Sequence, residues 1–241
     1  MIVHSEPLFV IIFGDKRSGF IPRNYHALAN SQEILKEAPF MQCKKWGIDS
    51  LGILHQTHST QGLHIDTYEQ AEQLKPFKHE ADFSLTQLIG VGLAVVSADC
   101  LPLILYDKKN HAIANVHAGW RGSVDGIASI AFERMKSIFG SEAENMRIFL
   151  GPSAKRCCYS VGADVQDKVG NFSFKDEVLQ QMGDLVMFDL PLFNKLQLES
   201  MGIAKDAFND AYNICTIHTD SFNSYRRTQS PERQSTIVAL R

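Results

Sequence analysis

The pattern of apolar and polar residues predicts short strands mixed with a few helices. An apolar stripe with helical spacing runs through "SVDGIASIAFERMKSIFG" (123–140), and weaker helical patterns cover 31–43 and 192–201. We expect Ser123 to cap the first of these helices and Gly140 to end it. Strand-like runs lie at 8–13, 51–54, 91–96, 101–106, 112–116, 147–150, 185–190 and 236–240. Because strands and helices do not alternate regularly, the pattern predicts an α+β fold with mixed or antiparallel sheets.

Two of these strands form a predicted hairpin that carries candidate chemistry. The segment "LPLILYDKKNHAIANVHAG" has aliphatic residues on both sides of a polar tip. If the turn centres near Lys109, Cys100 lies opposite Ala118 and beside His117. Cross-strand neighbours are roughly 5 to 8 Å apart, so the hairpin predicts that this thiol and this imidazole lie close together.

Candidate metal ligands occur in three short segments, "LHQTHS", "SADCLP" and "VHAGWRGS". Their imidazoles and thiolate (His58, Cys100 and His117) suit Zn²⁺, which takes nitrogen and sulfur donors. Three protein ligands leave one position open, where zinc lowers the pKa of a bound water towards about 7. His55 is an alternative fourth ligand, which would close the site and make it structural. Asp99 is placed to orient an imidazole or accept a proton.

Three arginines are candidate anion-binding residues. Arg121 lies in "HAGWRGS", where glycines permit close approach of the backbone and a helix is expected to begin. Arg226 in "NSYRRT" and Arg17 in "DKRSGF" are further candidates for binding substrate or phosphate. The alternative is that "HAGWRGS" is an ordinary strand-to-helix turn. The adjacent Cys157 and Cys158 are expected to be structural rather than to ligate one metal together.

Composition and charge narrow the class of protein. A hydrophobic content of 44% with 21% charged residues is typical of a globular chain that buries a core. A net charge of −3 gives no basic surface for nucleic acid or anionic membrane, and no apolar stretch is long enough to span a bilayer. The five cysteines, an odd number with two adjacent, favour reduced thiols and a cytoplasmic location. No linker or repeat divides the sequence, so we expect a single domain over residues 1–241.

The ordered segments "HQTH", "SADCLPLILYD", "NVHAGWRG", "GPSAKRCCYSVG" and "CT…SYRR" resemble the laccase-domain family, also called the YfiH or peptidoglycan-editing-factor family. The resemblance implies one domain, a four-layer α/β/β/α sandwich similar to the catalytic domain of cytotoxic necrotizing factor toxins. It also implies zinc ligation by His58, Cys100 and His117, the second histidine of "HQTH" being the ligand, with these residues forming the catalytic centre.

The resemblance implies several activities. The first is a purine nucleoside enzyme that uses phosphate to cleave adenosine, inosine, guanosine or methylthioadenosine, and that also deaminates adenosine. The second is an amidase that removes wrongly incorporated L-serine from a peptidoglycan precursor. Copper-dependent oxidation of phenols is a weaker alternative, because it needs more converging histidines than these segments offer. A fourth possibility is an interaction protein without catalysis, in which zinc only stabilises the fold.

Overall fold

The computed structural model describes all residues, Met1–Arg241. Its strands are short, and half of them are buried along their whole length. They are β1 (Ile2–Glu6), β2 (Phe9–Phe13), β3 (Ser50–Ile53), β4 (Gly62–His64), β5 (Phe83–Thr86), β6 (Val91–Ser97), β7 (Leu101–Asp107), β8 (Ala112–Ala118), β9 (Met146–Leu150), β10 (Ser160–Val161), β11 (Leu179–Met182), β12 (Leu185–Phe188), β13 (Phe208–Asn209) and β14 (Gln234–Leu240).

The helices are fewer, and only two exceed ten residues. They are α1 (Ser31–Ile34), α2 (Tyr68–Gln73), α3 (Trp120–Val124), α4 (Ile127–Phe139), α5 (Ala163–Val169), α6 (Lys175–Val178), α7 (Leu190–Ser200) and α8 (Tyr225–Thr228). No helix combines the length and the apolar character needed to cross a bilayer.

The strands form three sheets. One has the order β1-β2-β14-β6-β3, a second has the order β13-β9-β7-β8-β5-β4, and a small third sheet has the order β10-β12-β11. Both large sheets contain parallel and antiparallel pairs. The predicted α+β class with mixed sheets is therefore confirmed.

Three apolar clusters separate the layers of the molecule. The largest cluster lies between the six-stranded sheet and helices α4 and α7, and residues such as Phe132 and Phe193 are fully buried there. A second cluster fills the space between the two large sheets, and a third lies between the five-stranded sheet and α1. The succession of helices, sheet, sheet and helices makes the four layers that the resemblance implied.

A buried amide connects the two large sheets. Asn115 is fully buried in β8, and its Nδ2 donates to the carbonyl oxygens of Leu93 (2.8 Å) and Thr236 (2.9 Å) on the five-stranded sheet. These bonds satisfy the amide NH₂ group, which would otherwise be costly to bury, while Oδ1 of the same amide has no partner. The amide thus fixes the position of β8, the strand that carries His117, relative to the opposite sheet.

The predicted hairpin exists, but its register was wrong by one residue. Leu101 pairs with Ala118 and Pro102 pairs with His117, so Cys100 lies just before β7 rather than opposite Ala118. The prediction that Ser123 caps a helix is also wrong. Gly119 is the N-cap of α3, Ser123 lies inside α3, and α4 begins separately after Gly126. Gly140 ends α4 in a left-handed conformation (φ 67°), as expected.

Candidate active site

Two imidazoles and a thiolate side chain converge at one end of the hairpin. The ligating atoms of His58, Cys100 and His117 all lie within 4.8 Å of one another. Cys100 Sγ is 3.7 Å from His58 Nε2, and the two imidazole rings are 5.0 Å apart between centroids. His117 is buried, Cys100 is half-buried and His58 is exposed. The group therefore has a buried side and a side open to solvent.

Three separate backbone segments deliver these side chains. His117 is the penultimate residue of β8, and Cys100 directly precedes β7, so the hairpin register brings the two segments together. His58 lies in the loop after β3 and adopts the left-handed conformation (φ 61°), which is uncommon for residues other than glycine. Gln56 attaches this loop to β6 by exchanging two 2.8 Å hydrogen bonds with the backbone of Val96.

A fully buried carboxylate organises both histidine-bearing segments. Asp82 accepts hydrogen bonds from the backbone N–H groups of Thr57 (3.1 Å), His58 (3.0 Å) and Ser59 (2.7 Å). Its Oδ1 also lies 2.9 Å from Nδ1 of His117. With Nδ1 held in this way, Nε2 is the nitrogen of His117 that can ligate a metal. Asp82 therefore holds the strained His58 loop and orients the His117 ring.

The electrostatics of the group favour an ion pair. Burial opposes charge on Cys100, yet the neighbouring His117 lowers the pKa of this thiol to about 6. Burial also disfavours the charged form of His117, whereas Cys100 and Asp82 raise its pKa to about 9. The hydrogen bonds that Asp82 accepts outweigh its own burial and lower its pKa to about 2. Each group thus favours the charged form of the other, a thiolate beside an imidazolium.

The donor set and its surroundings suit a metal ion. Imidazole nitrogen and thiolate sulfur are ligands for zinc and for copper, and the carboxylate behind His117 is the usual partner of a metal-bound histidine. Two of the three donor residues, His58 and Cys100, also lie against Gly119, where a side chain would not fit. A Cβ added at Gly119 would lie 2.8 Å from Cδ2 of His58 and 3.0 Å from Sγ of Cys100.

Gly119→Ala is therefore expected to weaken metal binding at least about 10-fold, since it displaces two donors from their positions. The backbone of Gly119 is extended (φ −73°), so alanine adds no conformational strain and folding stability should change by less than about 1 kcal/mol. Gly162→Ala is the matched control, because Gly162 is also the N-cap of a short helix with φ −80°. Competition titration with a chelator measures the affinity; equal affinities for the two variants would contradict this account of Gly119.

Asp99 does not touch either imidazole. Its carboxylate accepts hydrogen bonds from the Thr216 hydroxyl and from the backbone N–H of Arg226, both at 2.7 Å. Its carbonyl oxygen accepts from the backbone N–H of Ala154 at 2.8 Å. Asp99 therefore ties the turn that carries Cys100 to two later loops and to α8. Asp82 has the imidazole-orienting position that we expected for Asp99.

The three donors face a cleft of about 610 Å³. Arg121 and Arg226 line this cleft, and neither side chain forms a salt bridge. Aromatic residues form part of the wall, among them Phe77, Trp120, Tyr159 and Tyr225. The cleft thus combines metal-ligating, cationic and aromatic groups, which is typical of a site for a small polar ligand.

Two predicted residues do not join the convergent donors. Arg17 lies outside the cleft, where its exposed guanidinium pairs with Asp15 at 2.7 Å. His55 lines the cleft but is not one of the converging donors, and its Nδ1 lies 3.9 Å from Glu80 Oε1. The alternative of His55 as a fourth ligand therefore has no support in the geometry.

Sequence reasoning missed several residues of the site. Asp82 was visible only as the acid of "EADFSLT", with no local sign that it contacts the histidine segments. Arg23 and Arg233 line the cleft from parts of the chain far from the motifs, and no pattern around them pointed to it.

Comparison with known proteins gives the family. A family model described as multi-copper polyphenol oxidoreductase laccase matches residues 26–241. A purine nucleoside phosphorylase of Bacteroides thetaiotaomicron is 34% identical over 74% of this chain and 68% of its own length. An adenosine deaminase, RL5, from an unknown prokaryotic organism is 30% identical over 75% of this chain and 71% of its own length.

A solved structure has the same fold as this chain. The crystal structure of the YfiH protein of Bacillus licheniformis superposes with a TM-score of 0.78 at 23% identity, covering 97% of this chain and 93% of that one. The chain is thus an α+β protein with a His-Cys-His group suited to bind a metal ion. It belongs to the multi-copper polyphenol oxidoreductase laccase family, that is, the laccase-domain or YfiH family.

Proposed function

We propose that this chain is a zinc-dependent purine nucleoside enzyme. It would cleave adenosine, inosine, guanosine or methylthioadenosine with phosphate, and deaminate adenosine at the same site. The observation that carries the proposal is the convergence of His58, Cys100 and His117 in a cleft that is lined by four arginines, none of which forms a salt bridge. The names of the two relatives that are 34% and 30% identical to this chain over the aligned residues support the same substrate class.

Zinc is the proposed metal because two imidazoles and one thiolate match its preference for nitrogen and sulfur donors. Three ligands without a fourth also match the open coordination of catalytic zinc. When bound, zinc supplies a Lewis acid that stabilises negative charge developing on a reacting group. Copper oxidation of phenols, the activity in the family's description, is disfavoured because only one metal-competent group in the chain contains histidine.

The residues of the chain position the two substrates. In phosphorolysis a phosphate oxygen bonds to C1′ of the ribose while the C1′–N9 bond breaks and its electron pair leaves with the purine. Arg121 and Arg226 would hold the phosphate through charge-assisted hydrogen bonds. Tyr225, which is 48% exposed in the cleft wall, offers aromatic surface on which a purine can pack. Asp82 keeps the His117 ring in place, which preserves the geometry of the reacting centre.

Arg121→Gln and Arg226→Gln are each expected to raise the KM for phosphate about 10-fold or more, because a hydrogen bond to a charged group contributes about 1.5–3 kcal/mol. The expected effect on the KM for the nucleoside is smaller. Arg17→Gln is the matched control, since this arginine lies outside the cleft. Initial rates at varied phosphate check the prediction, and an unchanged phosphate KM in both cleft variants would remove the arginines from the proposed site.

A nucleoside turnover assay tests the function itself. Zinc-loaded protein is incubated with adenosine or inosine, with and without phosphate, and the products are separated by chromatography. Phosphate-dependent release of the free base indicates phosphorolysis, and phosphate-independent conversion of adenosine to inosine indicates deamination. If neither substrate is converted under either condition, the proposed function is wrong.

The thiolate–imidazolium pair favours one second candidate. A Cys100 thiolate beside His117 has the arrangement of a cysteine nucleophile with its acid–base partner, which suits hydrolysis of an amide. This would fit removal of L-serine from a peptidoglycan precursor. Such hydrolysis would persist after treatment with a chelator and would stop on alkylation of Cys100, whereas zinc-dependent nucleoside turnover would stop with the chelator.

A further inference from the structure

A second group of thiols lies apart from the His58, Cys100 and His117 group. The sulfur atoms of Cys157, Cys158 and Cys215 all lie within 4.8 Å of one another, and none of them forms a disulfide. Cys157 is exposed, Cys158 is half-buried and Cys215 is buried. The cluster therefore reaches from the protein interior to solvent, which leaves a route for an ion to enter.

The two loops that carry these thiols are fastened to each other. The backbone N–H of Ser153 donates to the Ile214 carbonyl, and the backbone N–H of Thr216 donates back to the Ser153 carbonyl, both at 3.0 Å. The Lys155 ammonium also donates to the carbonyl oxygen of Asn213 at 3.0 Å. These bonds hold Cys215 opposite the Cys157–Cys158 turn, so the three sulfurs are brought together before any ion binds.

Within the Cys157–Cys158 turn, the backbone N–H groups of Cys158 and Tyr159 both donate to the Lys155 carbonyl at 3.0 Å. This tight turn is the reason that two adjacent cysteines can both approach Cys215, which the sequence led us not to expect. A metal with bonds to sulfur of about 2.3 Å needs sulfurs roughly 3.8 to 4.0 Å apart. Sulfurs within 4.8 Å of one another need to move by less than about 1 Å to reach that spacing.

We propose that Cys157, Cys158 and Cys215 form a second metal site, which takes a soft, thiophilic cation of the class of Zn²⁺ or Cu⁺. Thiolate ligands select such ions over hard cations. No fourth histidine, cysteine or carboxylate of the chain joins the three sulfurs, so the site is three-coordinate or completed from solvent. It shares no residue with the proposed catalytic group, so metal binding at the three thiols can be measured separately from nucleoside turnover.

Binding at this site has a structural consequence. Thr216, which follows Cys215, donates its hydroxyl to Asp99, and Ala154 donates its backbone N–H to the Asp99 carbonyl. Asp99 in turn precedes Cys100. An ion held by the three thiols would therefore fasten the loops that support the turn carrying Cys100, and it should raise the midpoint of thermal unfolding.

The test uses the full chain as Cys100→Ala, in which the first site lacks its thiolate, under reducing conditions. The protein is titrated separately with Zn²⁺, with Cu⁺ and with Co²⁺ as a spectroscopic probe. We expect one equivalent of the thiophilic ion per chain, a sulfur-to-cobalt charge-transfer band and a higher unfolding midpoint. A competition titration between Zn²⁺ and Cu⁺ shows which ion the site binds more tightly.

Further variants in the same background decide the ligands. Adding Cys157→Ser, at an exposed position, or Cys215→Ser should weaken binding at least about 100-fold and remove the charge-transfer band. Adding Cys43→Ala, which removes a buried thiol from the cluster between the five-stranded sheet and α1, should leave the affinity and the charge-transfer band unchanged. The proposal is overturned if Cys100→Ala binds no thiophilic ion, or if Cys157→Ser binds it as tightly as Cys100→Ala alone.

Discussion

Cys100→Ala is expected to lower nucleoside turnover by more than about 100-fold and to release metal from the first site. The variant removes the one thiolate among the three donors, and loss of even an outer partner of a ligand typically costs 10–100-fold. The fold should persist, because Cys100 precedes β7 and belongs to none of the apolar clusters. Turnover, metal content and circular dichroism of the same preparation measure the three effects.

Cys43→Ala provides the matched control for Cys100→Ala. Cys43 is fully buried in the cluster beside α1, and its substitution should cost about 1 kcal/mol of stability while metal binding and turnover remain. Retained turnover in Cys100→Ala would rule out the proposed role of the thiolate. Loss of folding in Cys100→Ala, together with an inactive parent protein, would favour the alternative in which the metal only stabilises the fold.

Asp82→Asn is expected to lower metal affinity by about 10–100-fold and stability by about 2–4 kcal/mol. The asparagine amide places an NH₂ group where the carboxylate accepted hydrogen bonds from the His58 loop and from His117. Without these bonds the left-handed conformation of His58 and the orientation of the His117 ring are no longer held. A chelator competition titration and a denaturant unfolding curve measure the two effects.

Asp107→Asn separates the positioning role of Asp82 from a general loss of stability. Asp107 is equally buried and lies at the turn of the β7–β8 hairpin, at the opposite end of that hairpin from His117, where it accepts backbone hydrogen bonds from Lys109 and Asn110. We expect a comparable loss of stability in this variant with unchanged metal affinity. The same metal affinity in both variants would contradict the view that Asp82 positions the ligands.

The sequence could predict part of the metal-ligand group because Cys100 and His117 both belong to the β7–β8 hairpin region. The hairpin joins Cys100 and His117 within a short stretch of chain, and alternating apolar residues with a polar turn predict such a pair well. The register was wrong by one residue because the turn has four residues. Asp107 pairs with Ala112, and its carboxylate caps the turn by accepting from the backbone N–H groups of Lys109 and Asn110.

The supporting residues could not be predicted because they act over long separations in sequence. Asp82 is 35 residues from His117 and 24 from His58, and only the pairing of β5 with β8 brings it beneath both. Asp99 attracted attention because it adjoins Cys100. Its own backbone has a positive φ of 97°, however, and its carboxylate lies against Thr216 and Arg226.

The positions of the candidate arginines also depend on contacts between residues that are far apart in the sequence. Arg121 and Arg226 belong to motifs and do line the cleft, whereas Arg17 is paired with Asp15. Which arginine reaches a cleft depends on how loops from different layers meet, and short-range spacing carries no information about that meeting. Only the tertiary structure therefore shows which of the candidate arginines line the cleft.

Reloading metal-stripped protein with Zn²⁺ shows whether nucleoside turnover depends on zinc held by Cys100. Protein and Cys100→Ala are freed of metal with a chelator, titrated with Zn²⁺, and assayed for phosphate-dependent cleavage of inosine at each step. We expect no turnover without metal, a rise in turnover with added Zn²⁺ in the parent protein, and no rise in Cys100→Ala. Full turnover of the metal-free protein, or an equal rise in Cys100→Ala, would contradict this expectation.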